Sequence, residues 1–129
     1  VEAMLRAARP DVVVNLAAIS SPAACEKDEA AAMAANCPLP LLTALRKVNA
    51  GALFVQLSTD QVFDGRRPPY SRQTVCAPVN AYGRSKLAFE AALAREWPRH
   101  VILRSSLIVG PAPPRPCARS GSFLHFLDA

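Results

Sequence analysis

The chain has 129 residues, of which 51% are hydrophobic and 19% charged, which excludes a disordered polymer and suits one domain with one core. No apolar run approaches the about 20 residues that a bilayer-spanning helix needs, so no membrane association is expected. The net charge is +5, but the basic residues are scattered in small groups such as Arg46-Lys47 and Arg66-Arg67, so they read as solvated surface and nucleic acid is not expected as a partner.

The four cysteines, Cys25, Cys37, Cys76 and Cys117, form no C-x-x-C pair and have no histidine placed to complete a metal cluster. Reduced thiols in a cytoplasmic protein are the expectation, with Cys37 and Cys76 as small packing residues. The chain opens on Val1-Glu2-Ala3-Met4 rather than on an initiator methionine. It is therefore expected to begin inside a longer protein, with any targeting segment upstream.

Three short apolar runs read as strands: Val12 to Leu16, Leu53 to Leu57, and Val101 to Leu103 with a continuation at Leu107-Ile108-Val109. They are nearly continuous rather than alternating, which predicts a parallel sheet covered on both faces. Helical segments are predicted at Glu26 to Ala35 and at Leu41 to Val48, with Pro38 and Pro40 interrupting them and Gly51 ending the second. A loop over 60–79 carries the turn signals Asp64-Gly65 and Pro68-Pro69. A further helix is predicted from an N-cap at Asn80 to a stop before Pro98. On it, Tyr82, Lys86, Phe89, Leu93 and Trp97 fall on one stripe. Residues 1–110 are thus expected to form a partial α/β domain. Residues 111–129 read as a proline-rich linker and the start of a truncated C-terminal region in which Phe123 to Leu127 begin a helix.

Right-handed crossovers make such strands parallel, and open α/β sheets bind ligands at the carboxyl ends of their strands. Here those exits are Ala17-Ala18-Ile19-Ser20, Ser58-Thr59-Asp60 and Ser105-Ser106, all small or hydroxylated. Each exit alone is unremarkable: Ala17-Ala18 suits any tight strand end, and Ser58-Thr59 suits a turn cap. A lone Tyr82-x-x-x-Lys86 is most often a surface pair. Its position is what singles it out, because it opens the helix that follows a strand ending in Ser-Thr. Reduction of a carbonyl by hydride leaves charge on oxygen, so a proton donor must stand beside it. A free tyrosine ionises near pH ~10, and an ammonium one helical turn away is expected to lower that value. Thr59 would hold the substrate oxygen. The hydride must come from a cofactor, since no side chain supplies one.

These residues resemble the extended short-chain dehydrogenases, and within them the dTDP-4-dehydrorhamnose reductase-like group. The matching strings are Pro10 to Ala18 (PDVVVNLAA), Ser58 to Gly65 (STDQVFDG), Pro78 to Glu90 (PVNAYGRSKLAFE) and Leu103 to Gly110 (LRSSLIVG), in the family's order, covering most of the chain up to Gly110. The resemblance implies a Rossmann-like α/β fold and an NADP or NAD cofactor. It implies Thr59, Tyr82 and Lys86 as catalytic residues, with Tyr82 and Lys86 also contacting the cofactor and Ala17, Ala18 and Ser58 lying along it. Asn36 falls where relatives carry a supporting asparagine. The implied substrate is a nucleotide-linked 4-keto-6-deoxysugar.

The resemblance is incomplete. Nothing matches the G-x-G-x-x-G phosphate loop, which would lie upstream of Val1, and the family's substrate region would follow Ala129. The 129-residue chain alone is therefore expected to show no turnover. Gln61 replaces a tyrosine and Leu107 a tryptophan typical of rhamnose reductases. A related branch, resembling the regulatory β subunit of methionine adenosyltransferase, keeps the fold and a cofactor but serves as a binding partner. The alternatives are thus a reductase, with a homodimer partner as one expectation, a regulatory subunit with a partner enzyme, or an inactive fragment.

Overall fold

In the computed structural model, which describes residues 1–107, polar interruptions and alternating burial within the strands decide which way the sheet faces. Strand β1 (Val12–Asn15), β2 (Leu53–Thr59) and β3 (His100–Ser105) form one parallel sheet in the order β1-β2-β3. Val14 pairs with Val55 and Val55 with Val101, while Asn15 pairs with Gln56 and Gln56 with Ile102. Successive residues point to opposite faces, so Phe54, Gln56 and Ser58 are buried under the helices while Val55 and Leu57 turn the other way.

The helices are α1 (Glu2–Ala8), α2 (Pro22–Lys27), α3 (Glu29–Asn36), α4 (Leu39–Asn49) and α5 (Ala81–Glu96), with a 3-10 turn at Asp60–Val62. They build one main core from Leu5, Leu42, Leu45, Phe54, Phe89, Leu93 and Trp97. The Phe54 ring meets Phe89 edge-on at 5.8 Å and Trp97 at 6.5 Å, and Trp97 Nε1 donates to the Ala52 carbonyl at 2.9 Å. Each such ring pair contributes about 0.5–1.5 kcal/mol beyond its buried area. The stripe read from the sequence of α5 is therefore the one that packs on the sheet.

The opposite sheet face departs from the expectation of cover on both sides. Val12, Val14, Val101 and Leu103 are between 41% and 57% exposed. The continuous apolar runs reflect side chains able to be buried on both faces, whereas the described helices bury one.

Local capping explains the other departures. Asp28 stands outside helical geometry at φ −143°, and its carboxylate accepts from Ala31 N at 2.9 Å, so the stretch expected to run unbroken from Glu26 to Ala35 is split into α2 and α3. Pro38 and Pro40 do mark the expected break, between the end of α3 at Asn36 and the start of α4 at Leu39, with Pro38 as N-cap and Pro40 in the first turn, where a missing N–H breaks no hydrogen bond. Gly51 does not end α4, which closes at Ala50 in right-handed geometry. Gly51 N donates instead to Asn49 Oδ1 at 3.1 Å. Helix α1 was not anticipated. It buries only Leu5, and it ends on Arg9 with φ 43° rather than on a glycine. Gly65, by contrast, takes φ 76° in the expected Asp64-Gly65 turn.

Leu107 lies outside any strand. The rest of the proposed β3 continuation, the proline-rich linker, the Phe123 to Leu127 helix and Cys117 fall outside the described residues. Cys25, Cys37 and Cys76 are free thiols. No described helix is long and apolar enough to cross a membrane.

Phe54→Ala is expected to remove about 3–5 kcal/mol of stability by chemical denaturation. Met33→Ala, at a partly exposed position outside that core, should stay within about 0.5 kcal/mol.

Candidate active site

The site is built where α5 comes down on the exit of β2. Asn80 caps α5 by accepting from Gly83 N at 2.7 Å, and its amide donates to Gln61 Oε1 at 2.8 Å, tying the helix start to the 3-10 turn. The Glu26 carboxylate accepts from Ala81 N, and Arg84 bridges Glu29 at 2.8 Å, so α2 and α3 brace the same helix end. The approach is close because residue 83 has no side chain. A Cβ there would enter the van der Waals envelope of the Gln61 carbonyl and lie 2.9 Å from Pro78 Cβ.

This approach brings Tyr82 to Thr59. The Thr59 hydroxyl accepts from Gln61 N at 3.2 Å and donates to Asp60 Oδ1 at 3.3 Å, so it also caps the 3-10 turn. Tyr82 is half-buried, and burial raises its pKa above the ordinary 10.0. The nearby Thr59 side chain acts in the opposite direction, while Cys25 and Asp60 reinforce the rise. The resting phenol is therefore neutral.

Lys86 is 3% exposed, and its ammonium donates to the Leu57 carbonyl at 2.6 Å. Burial lowers its pKa, and the Glu90 carboxylate opposes this. The expected depression of Tyr82 by Lys86 is not found. Lys86 is turned to the strand and does not figure among the groups acting on the phenol, so burial decides the sign. An ammonium carries three donors, and the Leu57 carbonyl occupies one.

The two alanines of the β1 exit, Ala17 and Ala18, are exposed. Ser58 stands apart from this open group: it is 3% exposed, and its hydroxyl donates to Glu90 on the helix side of the sheet. Asn36 is almost fully buried. Its oxygen accepts from Ile19 N at 2.8 Å, and its amide donates to Ile19 O at 3.1 Å and to Ser85 Oγ at 2.9 Å. Ser85 Oγ in turn donates to the Tyr82 carbonyl at 2.8 Å. Asn36 thus supports the site by joining the β1 exit to the turn that carries Tyr82.

Sequence reasoning missed a second polar line. Asn15 Oδ1 accepts from Ala17 N at 3.2 Å, its amide donates to Gln56 Oε1 at 2.8 Å, and Gln56 Nε2 donates to the same Leu57 carbonyl that Lys86 uses, at 2.7 Å. The signal was present, because Asn15 and Gln56 are polar residues inside otherwise apolar strand runs. Among the described residues no group of His, Cys, Asp and Glu could hold a metal ion.

Two outcomes follow from this geometry. The Tyr82 phenol, isolated by a near-ultraviolet titration of wild type against Tyr82→Phe, should ionise above pH 10.0, and a midpoint below that value would contradict the burial argument. Gly83→Ala should cost about 1–3 kcal/mol in thermal or chemical denaturation, since the backbone of Gln61 must move.

Comparison with known proteins places this geometry. Residues 1–115 match the family model of the RmlD substrate binding domain. A dTDP-4-dehydrorhamnose reductase of Burkholderia thailandensis is 48% identical over 88 residues, which cover 67% of this chain and 30% of that protein. The methionine adenosyltransferase 2 subunit beta of Danio rerio is 36% identical over 110 residues, 85% of this chain and 33% of that protein. The crystal structure of dTDP-4-dehydrorhamnose reductase from Bacillus anthracis in complex with NADP matches with a TM-score of 0.76 and 31% identity, over 82% of this chain and 38% of that one. The chain spans about a third of the length of the curated relatives it matches. On these grounds, a parallel Rossmann-like sheet and a match over nearly its whole length, the chain belongs to the RmlD substrate binding domain family.

Proposed function

We propose that this chain carries the proton-donating part of an NAD(P)H-dependent reductase that acts on a nucleotide-linked keto-sugar. The observation that carries the reading is the nearness of half-buried Tyr82 to the Thr59 side chain at the carboxyl end of a parallel sheet, with Lys86 one turn further along the same helix. Relatives named as dTDP-4-dehydrorhamnose reductases, and one solved with NADP, give the substrate and cofactor classes.

The residues present fit the nicotinamide end of such a cofactor. Ala17 and Ala18 are small and exposed, Tyr82 is half-open, and Lys86 has donors beyond the one given to Leu57. They would lie along the nicotinamide and its ribose, with Ser58 contributing backbone rather than its committed hydroxyl. When bound, the cofactor supplies hydride. Thr59 would hold the substrate carbonyl oxygen, and Tyr82 would give that oxygen its proton as charge develops there. Lys86, drawn from the Leu57 carbonyl toward the ribose, would then stand close enough to stabilise the phenolate left behind. Gln61, beside the site, bears on which keto-sugar is accepted. A cytoplasmic protein that works as a homodimer accords with this reading.

A second reading is a regulatory subunit that binds cofactor and a partner enzyme without turnover. It is favoured by the similarity to methionine adenosyltransferase 2 subunit beta and by the engagement of Lys86 with strand rather than phenol.

The test is NADPH oxidation with dTDP-4-dehydrorhamnose by the naturally produced protein. Tyr82→Phe should lower kcat by about 10²- to 10⁴-fold with NADPH still bound. A wild-type protein that binds NADPH yet oxidises none with any keto-sugar would favour the regulatory reading.

A further inference from the structure

Glu90 is a carboxylate only 4% exposed, two turns along α5 from Tyr82 and one from Lys86. A buried charge is costly unless it is paired and hydrogen-bonded. Here Arg104 Nη2 donates to Oε2 at 2.6 Å, Arg104 Nε lies 3.1 and 3.2 Å from the two oxygens, and the Ser58 hydroxyl donates to Oε1. Arg104 also lies over the Phe63 ring at 5.1 Å, just beyond the 3-10 turn. One carboxylate therefore joins α5, the last turn-ward residues of β2 and the end of β3.

The position of Ser58 gives this network its significance. Ser58 precedes Thr59 and points to the helix side, so fixing its hydroxyl on α5 sets where the Thr59 hydroxyl stands relative to Tyr82 on the same helix. Three successive turns of α5 thus engage the end of β2: Tyr82 lies near Thr59, Lys86 donates to the Leu57 carbonyl, and Glu90 accepts from Ser58.

We propose that Glu90 is a positioning residue, whose carboxylate locks the β2 exit to α5 and sets a negative charge facing buried Lys86, so that Thr59, Tyr82 and Lys86 keep their working arrangement. This rests on the reductase reading for its effect on turnover, but not for its effect on Lys86. Glu90 is the charged group acting on Lys86, Arg104 on β3 pairs with Glu90 from the other side, and Cys25 on α2 and Asp60 after β2 act on the neighbouring Tyr82. Among them, Glu90 is the group whose charge raises the Lys86 pKa against the effect of burial.

The experiment compares wild type, Glu90→Gln and Tyr82→Phe in the naturally produced protein. Glu90→Gln keeps the volume and an acceptor for Ser58 but removes the charge. By NMR titration of the Lys86 side chain without ligand, Glu90→Gln should move the Lys86 midpoint to lower pH by about one unit. With NADPH and keto-sugar, kcat should fall about 10- to 100-fold while NADPH affinity stays within about 3-fold, and the alkaline limb of kcat should move to lower pH. An unchanged Lys86 titration in folded Glu90→Gln, or a kcat that falls only in proportion to the folded fraction, would overturn the proposal. If wild type itself shows no turnover, the reductase reading fails, and the Lys86 titration still decides the role of Glu90. Should Glu90→Gln not fold, Arg104→Gln, which leaves the carboxylate in place, should retain the wild-type sense of the Lys86 shift, and a fall in the Lys86 midpoint there would count against Glu90.

Discussion

The close seating of α5 on the exit of β2 is the constraint on which the rest of this site depends. Two backbones cannot come that near if a side chain intervenes, and at residue 83 none does. The cap at Asn80, its amide on Gln61 and the Glu26 carboxylate on Ala81 N then hold the helix start in place. Below them, Phe89, Leu93 and Trp97 drive the same helix onto Phe54. Hydrophobic burial supplies the force and the polar caps supply the position. The phenol of Tyr82 reaches Thr59 because both are satisfied together.

The electrostatics of the site follow from burial more than from charge pairing. The phenol is desolvated and resists ionisation, and the ammonium of Lys86 is desolvated and finds a carbonyl. A neutral proton donor beside a hydroxyl is the state a reductase needs before its substrate arrives. The buried polar atoms that surround it are all partnered among the described residues. Asn36, Asn15 and Gln56 do this with bonds that run from the β1 exit to the strand carbonyl under Lys86. Such a network disfavours other arrangements of the three strand ends, because each shift would orphan a buried group.

The strands and α5 were legible in the sequence, and so was the placing of Tyr82 near Thr59 with Lys86 on the same helix. Long apolar periodicity, an asparagine cap and family strings all pointed to the same places. What escaped was set by side chains acting on the backbone at a distance or by context. Asp28 broke a helix that composition alone would continue. Helix α1 carried one buried residue and so gave almost no periodic signal. The orientation of Lys86 was also invisible, since i+4 spacing places two side chains on one face but does not say which partner the longer one takes. Glu90 was legible only as the last letter of a family string, and its bonds to Ser58 and Arg104 depend on β2 and β3 meeting beneath α5.

A crystal structure of the naturally produced protein with NADP bound tests the account most directly. The account places the Tyr82 phenol within about 3.5 Å of the Thr59 hydroxyl or of one substrate oxygen shared by both. It also has Lys86 exchanging the Leu57 carbonyl for the ribose. A Tyr82 ring turned away from Thr59, or a nicotinamide bound away from Ala17, Ala18 and Lys86, would contradict it.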